Sequence, residues 1–464
     1  MAGTDTLAPP RSIGVGAAHF YLPALCLLSL AFAVVLERHT PGLNGPDYWQ
    51  WPWRRVDAWR LLATLGPALA PMAVGVTMHA LGRWTQRRAL VAVMVSAFLV
   101  QFAVLGLLTD PFGLTRLKDI VTGATYTSYY TEAVRGHDGP LSLRAWLDAL
   151  PGQMAGMATH ARTKPPGLTL YYWGLVRLFG PGEGAAVLGG VGVAILATLS
   201  VPATAWFIRT VAGDETRGLS GACFVALSPS LAMFLPEFDQ FWPTLTCGLV
   251  GLWWLALERR TVLAAAACGA VLGLSCFFLY NHLVLGFVML GMCAVWWLAH
   301  ADRSLRVLAR QAAIVLGVAI ALQALAAVAL SYHPIDTFRA ALASEKDFAR
   351  TFVRPYPKTA FYDVTDFALG AGWLAVPLAI LGFLRTEGTA RRLLLGLCLL
   401  QPVVVGLTGL LPGENARVWA FLLPVLMLGV DEELSRWRPG ARAAAIGLQA
   451  LALVAICRNM VFLQ

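Results

Sequence analysis

Apolar runs of about 17 to 24 residues recur from Phe20 to the end of the chain, and each is long enough to cross a hydrocarbon layer roughly 30 Å thick as a helix. One such run fits a buried core helix; a dozen do not, because a water-soluble domain cannot enclose that many helices apolar on every face. Charge is scarce in proportion. Only 13% of residues are Asp, Glu, Lys or Arg, against roughly 25% in an ordinary soluble domain. The predicted fold class is an all-α polytopic membrane protein with about 12 to 14 transmembrane helices, one integral membrane domain over residues 1–464.

The first run, Phe20–Leu36, has neither a strong basic leader nor a small-residue cleavage site. It reads as a retained span preceded by a short tail, residues 1–17. Glu37–Arg60 follows as a polar loop rich in Trp, suited to an interfacial aromatic belt, with sugar stacking by Trp49, Trp51 or Trp53 as the alternative. Leu61–Leu81 and Ala89–Thr109 form a hairpin. Residues 110–166 make a long external loop that is partly helical: Leu143, Trp146, Leu147 and Leu150 recur at helical spacing, an amphipathic pattern suited to the membrane surface. A second external loop covers residues 332–366, where Arg354-Pro-Tyr-Pro argues against one continuous helix.

Gly167–Phe179 is apolar but short. Reading it as re-entrant keeps the short Arg-rich turns, such as Arg259/Arg260 and Arg391/Arg392, on the cytoplasmic side. This gives about thirteen spans, with the N-terminus inside and the C-terminus outside. The net charge of +9 is scattered through these turns rather than gathered into a groove with interleaved aromatics, so nucleic acid is excluded as a partner. The eight cysteines fall in apolar runs with no metal-binding spacing, and read as small core residues.

With that topology the outer face collects the unusual polar residues: Asp47, Glu237 and Asp239, His282, the 332–366 loop, and Glu414 with Arg417. Ionisable groups at span ends are candidates for function. The densest element is His160-Ala-Arg-Thr-Lys-Pro-Pro-Gly167. Arg162 and Lys164 beside His160 suit phosphate, Arg through paired contacts and Lys as a point charge; anchoring to anionic headgroups is the alternative. Tyr129-Tyr130-Thr-Glu132 precedes it and Phe179-Gly-Pro-Gly-Glu183 follows.

Together, the long loop after an early span, the Lys-Pro-Pro entering the next apolar segment and the Gly-Glu behind it resemble the GT-C superfamily of polyprenyl-phosphate-dependent glycosyltransferases, in particular its protein mannosyltransferase and aminoarabinose transferase branches. The resemblance covers about the first half of the chain. It implies inverting transfer of a sugar from a lipid-linked donor to a glycan, lipid or protein acceptor at the outer face of a bacterial cytoplasmic membrane, with membrane lipids as further partners. Such chemistry needs a carboxylate that takes the acceptor proton or holds a metal, and cations that meet the leaving phosphate. His160, Arg162, Lys164, Tyr129, Tyr130, Glu237, Asp239, Glu414 and Arg417 are the expected donor-phosphate and substrate contacts. Relatives carry an Asp just before the loop tyrosines, whereas this chain has Ala124-Thr-Tyr-Thr-Ser128. Asp110, Asp119 and Glu132 are the nearest acids and the expected catalytic candidates, with Asp47 and Asp239 in reserve. No ligand set names a metal, and a divalent cation is left open. A transporter or flippase of lipid-linked sugars, or a non-catalytic subunit, is the competing reading; the chain lacks the internal repeat that transporters often show.

Overall fold

The computed structural model describes residues 16–109, 113–158, 160–351 and 353–462. Helices account for nearly all of the regular structure there. The one sheet-like feature among the described residues is an isolated antiparallel bridge, Trp53 to Met460. The chain opens with α1 (Gly16–Glu37), α2 (Ala58–Ala80) and α3 (Gln86–Leu107), followed by the short helices of the first long loop, α4 (Thr115–Thr122), α5 (Tyr129–Asp138) and α6 (Leu143–Gln153). Next come α7 (Gly167–Phe179), α8 (Glu183–Thr198), α9 (Ser200–Ala212), α10 (Leu219–Ala226) and α11 (Pro229–Ala232), then α12 (Trp242–Arg259), α13 (Val262–Phe278), α14 (Gly286–Ala299) and α15 (Leu305–Leu330). The last third holds α16 (Pro334–Thr351), α17 (Lys358–Ala371), α18 (Ala375–Arg385), α19 (Thr389–Thr408), α20 (Asn415–Val418), α21 (Leu423–Leu434) and α22 (Pro439–Asn459).

Seven helices among the described residues are long and apolar enough to cross a membrane. Three further apolar runs take other forms, each with a local cause. Leu219–Leu235 is the two short helices α10 and α11, parted where Ser228 caps the second by accepting from the Leu231 amide. Phe367–Leu384 is α17 and α18, bent by 96° at Gly372, whose φ of +87° suits glycine. Val418–Val430 is divided between α20, a single tight turn and α21. Such breaks are tolerated at membrane depth only where protein encloses the freed backbone groups, and α10, α11 and α21 are buried throughout. The amphipathic segment forms α6, with Ser142 as its cap. Its apolar face is covered by protein rather than lipid, since Trp146 lies 5.4 Å from Trp173 and α6 packs on α15 and α16.

Small residues bring the long helices together, as expected where lipid removes the hydrophobic drive for association. Gly269 and Gly273, one turn apart on α13, meet Val315 and Ala319 of α15. Gly382 of α18 meets Gly429 of α21.

One end of α10, α18, α19 and α21 is tied by buried charge. Arg217 donates to Asp431 at 2.8 Å and to Glu432 at 2.9 Å; Arg391 and Arg436 each reach Glu432 at 2.6 Å; Arg385 and Trp437 close on Glu433. Asp431 also accepts the Gly218 and Gly221 amides at the start of α10, where the helix dipole favours a negative group. At 1.5 Å per residue the 20 residues of α19 run roughly 30 Å, so the segment following its far end lies well away from this cluster. Arg217→Ala removes the ion-pair partner of buried Asp431 and one of the three arginines on Glu432, a loss of about 3–5 kcal/mol. The expected outcome is a marked drop in thermal unfolding temperature in detergent; an unchanged midpoint rejects a structural role for the cluster.

Candidate active site

The cavity at that far end has a volume of about 290 Å³. It is lined by Tyr129, His160, Lys164, Glu237, Asp239, Glu345, Arg354, Glu414 and Arg417 among apolar walls from Leu168, Phe238, Trp242, Leu279, Phe338, Leu342 and Leu411. Seven of the residues expected at the site from sequence therefore converge, although they are spread over almost 290 positions.

Lys164 is placed by its own loop. Ser128, in the left-handed region at φ +57°, accepts the Ala161 amide through its hydroxyl at 3.0 Å, and Glu132 accepts the Ala158 amide at 2.9 Å. Residues 161–163 make one tight turn, Pro166 caps α7, and Gly167 presses on the backbone of Phe277, where a Cβ has no room. The segment that lacks the expected acid thus supplies the hydroxyl that holds the lysine loop.

Arg417 sits at the centre of a carboxylate cage. Its guanidinium lies 2.7 Å from Glu414, 3.3 Å from Glu237 and 3.5 Å from Asp239. Trp242 donates to the other oxygen of Asp239 at 3.0 Å. The Gly413–Arg417 loop is itself pinned: Asp363 accepts the Gly413 amide and the Asn415 side chain, and Asp366 accepts the Ala416 amide at 2.8 Å and the Trp51 indole at 2.7 Å. Trp51 is buried against Phe234 and Phe462. It ties the first loop to the site through protein contacts and is not open to stack on a sugar.

Charge compensation sorts the cations. Arg417 is neutralised by its cage. The Lys164 ammonium makes no hydrogen bond or ion pair among the described residues, and Arg354 donates to the Pro412 carbonyl with no carboxylate within salt-bridge distance among those residues. Burial pulls the Lys164 ammonium below the ordinary lysine range, opposed by the charges of Asp239 and Glu345. His160 is pushed down to about 3 by burial and by Arg417, so it is a neutral imidazole at physiological pH and not part of a basic cluster. Burial raises Glu237 to about 7, with Arg417 opposing and Asp239 and Glu414 adding to the rise.

Other expected residues take different places. Asp119 is exposed on α4 and Arg162 does not line the cavity. Glu132 is buried, engaged with the Ala158 amide and 3.7 Å from Arg135, which makes it a clamp for the lysine loop. Tyr130 both donates to and accepts from Gly182 at 2.8 Å, fixing the turn between α7 and α8. Asp47 pairs with Lys358 at 2.6 Å on the surface, and Asp110 lies outside the described residues. Glu345 and Arg354 were not singled out by sequence, because the 332–366 loop holds ten charges at no diagnostic spacing. Among the described residues no group of three or more His, Cys, Asp or Glu is placed to hold a metal ion; Glu237, Asp239 and Glu414 face Arg417 instead.

No family model and no curated protein matches the chain. Among solved structures it is similar to ArnT from Cupriavidus metallidurans, determined with undecaprenyl phosphate bound, with a TM-score of 0.41 and 16% identity, covering 79% of this chain. The chain spans 59% of that protein's length. A likeness of this degree assigns no activity.

Because the folded state holds the Glu237 proton up to about 7, Glu237 favours folding most at low pH and that contribution is lost as pH rises from the ordinary carboxyl range through 7. The expected result is that the stability difference between wild type and Glu237→Gln changes across pH 5 to 8, with the variant gaining relative to wild type as pH rises. A pH-independent difference contradicts the assignment.

Proposed function

We propose that this chain is an integral membrane glycosyltransferase that moves a sugar from a polyprenyl-phosphate donor to an acceptor, with inversion, at the outer face of a bacterial cytoplasmic membrane. The observation that carries the reading is Lys164: an ammonium with no bonded partner among the described residues, held by a rigid loop at the wall of a largely apolar cavity. The resemblance of the Lys-Pro-Pro element to that of the GT-C superfamily supports the same reading.

The chemistry follows from where the charges stand. A lipid-linked sugar phosphate carries one negative charge and gains a second as the glycosidic bond breaks. Lys164 and Arg354, the two cavity cations without a carboxylate partner, meet that developing charge in surroundings of low dielectric, where each contact counts for more than in water. The apolar walls take the first part of the lipid chain, leaving the sugar against Tyr129, Trp242 and the carboxylates. Arg417, with its charge already balanced, keeps Glu237, Asp239 and Glu414 in place. Lys164, whose charged form is disfavoured until an anion arrives, regains its ordinary basicity when the phosphate binds.

The test uses purified protein with a radiolabelled polyprenyl-phosphate sugar and membrane acceptors. Lys164→Ala is expected to lower kcat/KM by on the order of 10² to 10³ and to weaken donor binding. Donor affinity of the wild type declines as pH rises past the lowered Lys164 value, at a lower pH than an ordinary lysine would give. Binding without turnover, or vectorial movement of the intact donor, favours the transporter reading and sinks this one.

A further inference from the structure

A second cavity, of about 160 Å³, adjoins the first and shares Glu345, Phe348, Arg354 and Pro412 with it. Tyr356, Thr359, Ala360, Asp363, Gly406 and Gly409 complete its wall with Ala349. At roughly 10–15 Å³ for each water-sized group, it holds on the order of ten such groups, the scale of one sugar ring rather than a lipid chain.

Its lining is polar in a particular way. Asp363 is buried, and both of its recorded hydrogen bonds fall on Oδ1, from the Gly413 amide and the Asn415 side chain. Oδ2 is left without a donor among the described residues. The Glu345 carboxylate also makes no hydrogen bond or ion pair among the described residues, unlike those of Glu237, Asp239 and Glu414, which are all held by Arg417. Its charge acts across the first cavity on Lys164. A pocket with two carboxylates in need of donors recognises hydroxyl groups. Tyr356, 59% exposed, gives it an aromatic edge.

We propose that the second cavity is the acceptor subsite, taking a hydroxylated head such as a sugar ring, and that Glu345, which lines both cavities, is the general base. This rests on the glycosyltransferase reading above. The acceptor hydroxyl loses its proton to the Glu345 carboxylate as its oxygen attacks the anomeric carbon. The new C–O bond forms on the face opposite the phosphate; the old C–O bond breaks, and its electron pair leaves with the polyprenyl phosphate, whose added charge Lys164 and Arg354 meet. Asp363 orients a further hydroxyl through Oδ2. Arg354, shared by both cavities, stands between the leaving group and the acceptor.

The experiment separates the subsite from the base and both from the parent reading. Donor binding and transfer are measured for wild type, Glu345→Gln, Ala360→Phe and Lys164→Ala, with the radiolabelled polyprenyl-phosphate sugar as donor and a titrated membrane glycan and lipid fraction as acceptor. Glu345→Gln is expected to lower kcat by 10²-fold or more with donor binding within twofold of wild type. Ala360→Phe, which fills the second cavity, is expected to raise the apparent KM for the acceptor fraction at least tenfold, again with donor binding intact. Ala349→Trp, on the other wall, serves as a second filling variant should Ala360→Phe fold poorly. Full turnover in Glu345→Gln, or an unaltered acceptor KM in the folded filling variants, overturns the proposal while the parent reading stands on Lys164→Ala. If wild type transfers nothing, or Lys164→Ala retains transfer and binding, the parent reading fails and takes this one with it.

Discussion

A buried guanidinium has to be matched by negative charge, and Arg417 meets that requirement by drawing a second chain segment to its own turn. Glu237 and Asp239 come from the loop ahead of α12, Glu414 from the turn ahead of α20, and none has another cation within bonding distance among the described residues. Removing the arginine leaves three acids crowded in a poorly solvated space; removing one acid leaves the arginine short of compensation. Buried ion pairs are weak evidence of net stability, since desolvation offsets much of their attraction. Their value here lies in geometry. The surrounding cavity owes its outline to this cage, and the cage is fixed by backbone bonds from Asp363 and Asp366.

The contrast between paired and unpaired charge separates scaffold from chemistry throughout the molecule. The cluster of Arg217, Arg391 and Arg436 with Asp431, Glu432 and Glu433 binds helix ends and faces no cavity described above. Arg417 plays the same part nearer the site. Lys164, Arg354 and Glu345 line the cavity without an opposite charge within ion-pair distance among the described residues, so the opposite charges that act on them do so from farther off.

The helical membrane class was legible from apolar runs alone, because 17 or more apolar residues in succession have few other uses. The number of continuous crossings was not, since a run such as Leu219–Leu235 has the same composition whether it traverses lipid or folds as two short helices inside protein. Lys164 stands out in the Lys-Pro-Pro element, and Glu237, Asp239, Glu414 and Arg417 at span ends; the structure brings these five to one cavity. What each side chain bonds to was not readable there. Glu132 and Tyr130 lie beside the lysine loop in sequence and bond to backbone in space, whereas Glu345 lies about 180 residues from Lys164 and shares its cavity. Sequence proximity reports loop architecture well and charge partnership poorly.

The wall that the two cavities share is made by Glu345 and Phe348 of α16, Arg354 beyond its end, and Pro412. Phe348 packs beneath Arg354, 6.0 Å from guanidinium carbon to ring centre. A wall built this way makes the two volumes reciprocal: tilting α16 to admit a larger group on one side narrows the other by a similar amount. Substitutions at Glu345, Phe348 or Arg354 would therefore change both volumes at once, and on the proposed reading selectivity toward donor and acceptor would shift together.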